Sequence, residues 1–191
     1  RVDKGENSKL SKLSTYRIEK IDFKKYDGVV ISDYNKGFID AKIAKKISDK
    51  CFENNVPLFV DSKKSDLSCF ANAIIKINQF EFQNLINIPK SCELVVTLGS
   101  NGALWNKEKF VAADIEIDNL KTGENQTILR NANVCGAGDT FLSGLVVHYL
   151  IYDNFPKAIK FANKCGAIAI NNFGTHAVTL EEIEKYYDIC L

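Results

Sequence analysis

The chain has 191 residues, 46% hydrophobic and 26% charged, with a formal charge of +1. That composition fits one globular domain over 1–191, large enough to bury a core of its own. So small a net charge leaves no basic field to gather phosphate backbones, which argues against a general nucleic-acid binder. No apolar run nears the roughly 20 residues of a membrane span, so no membrane partner is expected. The six cysteines, Cys51, Cys69, Cys92, Cys135, Cys165 and Cys190, are scattered, with only His148 and His176 to help them. A zinc site needs grouped ligands, so the expectation is buried, reduced thiols in a cytoplasmic protein. The sequence opens on Arg1 and holds no methionine, and a fragment of a longer chain is expected.

A polar, lysine-rich opening gives way to Tyr16 and Ile18. Residues 28–32 (GVVIS) form a short apolar run of the kind that makes a buried parallel strand. After a loop at 33–37, Asp40 can cap a helix to about Asn54, with Ile43, Ala44 and Ile47 on one face. Residues 57–61 (PLFVD) and 73–77 (AIIKI) read as strands, 79–86 as a short helix, and 94–98 (LVVTL) as a fourth strand. A tight turn at 99–102 (GSNG) leads into 103–106. Strand, helix and strand in repetition imply right-handed crossovers and a parallel sheet with helices on both faces. Short runs at 109–113 and 127–130 suggest an antiparallel edge. Helices follow near 137–151, 157–171 and 179–188. The first is apolar on almost every side and is expected to be buried. The second sets Ala158, Ile159, Phe161, Ala162, Cys165 and Ala169 on its inner face.

The strongest chemical signal is 133–141 (NVCGAGDTF), directly before the apolar helix. Gly136 and Gly138 permit a tight turn and let a ligand approach the backbone. The first N–H groups of a helix have no partner within it and carry the positive end of its dipole. Residues 136–138 thus make an anion hole suited to phosphate. Asp139 beside such a cradle makes sense as a base that takes a proton from an attacking hydroxyl. The plainer reading is a glycine turn with an ordinary N-terminal Asp. A dinucleotide fingerprint fails, because Phe141 stands where a third glycine belongs, and no Gly-Lys-Ser/Thr exists for a P-loop. His148, within the apolar helix, reads as a satisfied core histidine; His176 is given no role.

These residues resemble the D-T-x-G-A-G-D signature of the ribokinase-like (PfkB) carbohydrate kinases. Residues 76–82 (KINQFEF) are similar to that family's N-x-x-E magnesium and phosphate motif. Residues 96–102 (VTLGSNG) look like its nucleotide-contacting strand and turn, and 161–167 (FANKCGA) like the helix whose Asn lies against adenine. Residues 1–3 (RVD), 31–37 (ISDYNKG), 60–63 (VDSK) and 172–179 (NFGTHAVT) are most like the kinases of D-glycero-D-manno-heptose 7-phosphate.

The resemblance implies a three-layer α/β/α ribokinase-like core with a mostly parallel sheet, incomplete at its N-terminal side. It implies ATP and Mg²⁺ as cofactors, a sugar phosphate as small-molecule partner, and a homo-oligomer or a missing N-terminal segment. The catalytic residues it implies are Asp139 with Gly136, Ala137 and Gly138. Nucleotide contacts fall to Asn78, Glu81, Thr97, Gly99, Gly102, Asn163 and Lys63, with Lys36 a further loop cation. Asn78 and Glu81 would serve Mg²⁺, mostly through water. The implied reaction phosphorylates the 1-hydroxyl of the heptose phosphate, in ADP-heptose and lipopolysaccharide biosynthesis. Another sugar or nucleoside kinase of the family is the alternative, as is a non-catalytic nucleotide-binding piece or one chain of a split enzyme.

The chain departs from the family at three places. Asn133 replaces the first Asp of the signature and Cys135 a usual Thr, in a region that supports a monovalent cation in some members. The stretch from Asn78 to Val96 is shorter than usual. The N-terminal part that supplies the lid and sugar contacts is absent, so the 191 residues alone are expected to hold ATP but turn over little.

Overall fold

The structure is a computed structural model that describes residues 18–112, 135–172 and 175–187. Its contacts gather into two compact units, Arg1–Val96 and Thr97–Leu191. Among the described residues no helix is long and apolar enough to cross a membrane.

In the first unit the strands run β1 (Val29–Asp33), β2 (Leu58–Ser62), β3 (Ile74–Asn78) and β4 (Glu93–Thr97), neighbours in that order. β1 and β2 pair in parallel, as do β2 and β3, with Asp33 opposite Ser62 and Asp61 opposite Lys76. β2 is buried at every residue and β3 at four of five, as continuous apolar runs in a covered parallel sheet require. β1 corrects the expectation of a buried strand. It is first in the strand order of this unit, and only alternate residues, Ile31 and Asp33, are buried, while Val30 is 49% exposed. One face of a strand carries every second side chain, so covering a single face leaves the rest in water.

Helix α1 (Ala41–Glu53) begins where Asp40 predicts, its Oδ1 accepting the Ile43 N–H at 2.7 Å. Ala44, Ser48 and Cys51 form its buried stripe at helical spacing. Helix α2 (Gln79–Gln83) is shorter than the expected 79–86. The chain leaves the helix because Ile86 donates to the Ser65 carbonyl at 2.8 Å and Asn87 accepts from the Leu67 N–H at 2.9 Å.

The second unit opens with a 3₁₀ turn (Gly99–Asn101) and an antiparallel pair, β5 (Ala103–Trp105) and β6 (Glu108–Phe110). The expected strand at 127–130 lies outside the described residues. Helices α3 (Ala137–Tyr152), α4 (Phe155–Asn171) and α5 (Leu180–Tyr187) follow. Asn154 caps α4 by accepting the Lys157 N–H at 3.0 Å. All six residues expected on its inner face are buried.

α3 departs from expectation. Phe141, Leu142 and Leu145 are buried, whereas Val147, Leu150, Ile151 and Tyr152 are exposed within this unit. α4 packs along α3, and one neighbour covers one side of a helix whatever the other sides are made of. His148 is likewise not satisfied: its Nδ1 finds no hydrogen-bond partner among the described residues. The ring stacks between Tyr152 and Phe161, with centroids 4.7 and 5.1 Å away.

Burial, and to a lesser degree the Lys157 charge, holds the His148 imidazole below its ordinary 6.5. As pH falls below about 6.5 the unfolded chain takes up this proton first, so stability should decline until the folded-state pKa is passed. Melting temperatures at pH 7 and pH 5 should therefore fall further apart in the wild type than in His148→Phe. Equal drops would remove His148 from the pH response.

The thiols follow the sequence expectation in part. Cys51 and Cys165 are buried, and burial pushes each up to about 11. Cys69 and Cys92 are half-buried, and Cys135 is exposed beside the glycine turn, against expectation. Cys190 lies outside the described residues.

Candidate active site

In the first unit, three parallel strands end in charged or polar residues: Asp33 on β1, Asp61 and Ser62 on β2, Lys76 and Asn78 on β3. The carboxyl ends of parallel strands are where open α/β sheets place their ligands. Asn78 caps α2, its Oδ1 accepting the Glu81 N–H at 2.8 Å. Glu81 returns the bond by accepting the Asn78 N–H at 2.8 Å. The other Glu81 oxygen takes the Lys63 ammonium at 2.6 Å. Lys63 also reaches Asp61 at 3.1 Å, and Asp61 receives the buried Lys76 ammonium at 2.6 Å. Burial works against the Lys63 charge, but Glu81 and Asp61 outweigh it and hold the ammonium above its ordinary 10.5. Lys63 thus joins Asn78 and Glu81, expected together from their shared motif, in one hydrogen-bonded group. Alongside, buried Asp33 accepts from the Ser62 hydroxyl at 2.9 Å and pairs with Lys64, which also donates to the Ile39 carbonyl at 2.7 Å.

In the second unit, Gly136 is the N-cap of α3 with φ +83, a left-handed conformation that glycine adopts without strain. The Gly136 carbonyl accepts the Thr140 N–H at 2.8 Å, starting the helix. Ala137, Gly138 and Asp139 then form its first turn, with Asp139 exposed. Backbone donors at this end have no helical partner, and the exposed Asp139 carboxylate stands beside them. A cavity of about 460 Å³ adjoins the turn, with Gly136, Asp139, Thr140, Phe161, Thr175 and His176 among its lining. His176 Nε2 lies 2.8 Å from Glu182, which also accepts the Thr179 N–H at 2.9 Å. Glu182 N–H returns a bond to the Thr179 hydroxyl at 3.3 Å, a reciprocal cap for α5.

Two expected nucleotide contacts prove also to be packing residues. Asn163 is buried, and its amide donates to the Phe110 and Val111 carbonyls at 3.2 Å each. Gly102 lies against the same backbone: a Cβ there would stand 1.8 Å from the Phe110 oxygen. Thr97 ends β4 half-buried, and Gly99 turns the chain at φ +59 in open space. Asn133 lies outside the described residues. Sequence reading missed the Asp61–Lys76 and Asp33–Lys64 pairs and the His176–Glu182 contact. One signal was available, a lysine inside the apolar run IIKI and an aspartate closing LFVD.

The profile of the pfkB family carbohydrate kinase matches residues 2–182, and the chain belongs to that family. Among curated relatives, the bifunctional protein HldE of Sulfurimonas denitrificans is 26% identical, over 97% of this chain and 41% of its own. HldE of Hydrogenovibrio crunogenus is 29% identical over 84% and 35%. The chain therefore spans about two fifths of the length of these relatives. Among solved structures, Escherichia coli phosphofructokinase-2 in complex with potassium superimposes with TM-score 0.64 at 19% identity, covering 85% of this chain and 57% of that one. Thermotoga maritima ribokinase gives 0.63 at 17% identity, over 90% and 61%. These likenesses establish the ribokinase-like α/β fold.

Proposed function

We propose that the protein moves the γ-phosphoryl of ATP to the anomeric hydroxyl of D-glycero-β-D-manno-heptose 7-phosphate in the cytoplasm, as a step of ADP-heptose and lipopolysaccharide synthesis. The observation that carries the reading is the Gly136–Asp139 turn opening α3 beside a cavity. The HldE relatives support the heptose acceptor. Backbone N–H groups of 136–138 stabilise charge on the transferring phosphoryl, and Asp139 accepts the hydroxyl proton. Asn163, Thr97, Gly99 and Gly102 shape the nucleotide side, and Lys63 meets phosphate.

Among the described residues no three His, Cys, Asp or Glu side chains gather as a metal-holding group. Both Glu81 oxygens are engaged, one by the cap and one by Lys63. Asn78 and Glu81 therefore suit a hydrated Mg²⁺ held through water rather than direct ligation. Bound there, the ion would offset phosphate charge. A homo-oligomer is part of the proposal, supported by the tetrameric inhibited form known for E. coli phosphofructokinase-2.

A second reading keeps the phosphate chemistry and changes the sugar, since the fold neighbours are a ribokinase and a phosphofructokinase. ADP release by the full-length protein, measured with heptose 7-phosphate, ribose and fructose in parallel, separates the two. The heptose phosphate should be preferred by kcat/KM; preference for ribose or fructose would select the second reading.

A further inference from the structure

Four side chains in the first unit form a line of alternating charge: Lys76, Asp61, Lys63 and Glu81. Lys76 is 3% exposed and Asp61 6%, so their pair is sealed from water, whereas Lys63 is 39% exposed. Lys76 and Asp61 sit opposite each other on adjacent strands, where the backbone fixes both. Lys63 lies just past the end of β2 on a flexible four-carbon stem with costly rotamer freedom. Glu81 is fixed in turn, because its second oxygen belongs to the α2 cap. The reachable cation is thus held between two anchored carboxylates.

A buried ion pair is poor evidence of stability, since desolvation offsets its attraction, and it is better explained by what it orients. We propose that Asp61, locked by Lys76, is a positioning residue that holds the Lys63 ammonium ready for a phosphate group of the nucleotide. The proposal rests on the reading of Lys63 and Glu81 as phosphate-side residues. Lys76 turns one oxygen of Asp61 inward and leaves the other to Lys63. Without that lock, Asp61 would be free to reorient and Lys63 would follow Glu81 alone. A cation already in place gives up less side-chain entropy when an anion arrives.

The test is calorimetric titration of the full-length protein with ATP and Mg²⁺ as probe. Lys63→Met should weaken binding by roughly 10- to 100-fold, the scale of one charge-assisted hydrogen bond. The neutral pair Asp61→Asn/Lys76→Met, which removes both buried charges together, should fold and bind roughly tenfold more weakly. Added to Lys63→Met, the same pair should cost nothing further, because its whole effect passes through residue 63. A merely structural role would lower affinity equally with or without Lys63. Should the pair variant not fold, Asp61→Glu keeps the charge and displaces it by one methylene, and it must show the same dependence on Lys63. Additive losses, or wild-type affinity in a folded pair variant, would overturn the inference. Unchanged binding in Lys63→Met would overturn it while leaving the kinase reading standing. A wild-type protein that binds no ATP–Mg²⁺ would overturn both.

Discussion

Asp139→Asn should lower kcat by roughly 10²–10⁴ while leaving nucleotide affinity within a few-fold, the signature of a lost general base. Asparagine keeps the size and the place in the first turn of α3, and Asp139 is exposed. The fold should therefore be indifferent to the change. Proton acceptance, however, needs the carboxylate. The Ser143 hydroxyl bonds the Asp139 backbone carbonyl at 2.9 Å rather than its side chain, so that contact survives the substitution. The measurement is steady-state phosphoryl transfer with KM for ATP determined separately. A wild-type kcat would reduce Asp139 to a helix-terminal charge and require another base.

Gly102→Ala should be the most damaging single substitution for stability. Its φ of +87 with ψ −135 belongs to a region that only glycine enters readily. The new Cβ would also stand 1.8 Å from the Phe110 carbonyl oxygen and 2.7 Å from the Ala112 nitrogen. Both obstacles are backbone, and the Phe110 carbonyl is held in the β5–β6 pair, in which Ala103 faces Phe110. Neither can swing aside as a side chain would. The Gly102 carbonyl moreover closes the turn by accepting the Leu98 N–H at 2.7 Å. A loss above about 4 kcal/mol is expected, comparable to much of a domain's total stability. Gly99→Ala is the control, because open space surrounds it and only its left-handed backbone is penalised, by about 1–2 kcal/mol. Urea unfolding of both variants measures this; equal midpoints would mean the 102–110 backbone yields.

Local patterns were legible where one element decides its own fate. The spacing of Ala158, Ile159, Ala162, Cys165 and Ala169 marks a buried face, and α4 buries it. Asp40 announces a cap, and the cap is made. Burial that depends on a neighbour was not legible. β1 and α3 are as apolar as their partners, yet Val30 and Ile151 are exposed, since covering is a property of packing and not of the strand or helix. In the site, the glycine turn could be read because helix start and ligand chemistry share the same few residues. The Asp61–Lys76 pair could not, because it depends on the register of β2 against β3. Gly102 and Asn163 also pack together at the Phe110 carbonyl, a contact that their distance apart in the sequence hides.

The proposed activity is transfer of phosphate to a sugar hydroxyl at the turn that opens α3. ³¹P NMR of the full-length protein with ATP, Mg²⁺ and D-glycero-β-D-manno-heptose 7-phosphate tests it directly. Loss of the γ-phosphate resonance should be matched by a new anomeric phosphate monoester coupled to the sugar's C1 proton, absent with Asp139→Asn on the same time scale. Unchanged ATP, or ATP converted only to ADP and inorganic phosphate, would contradict it.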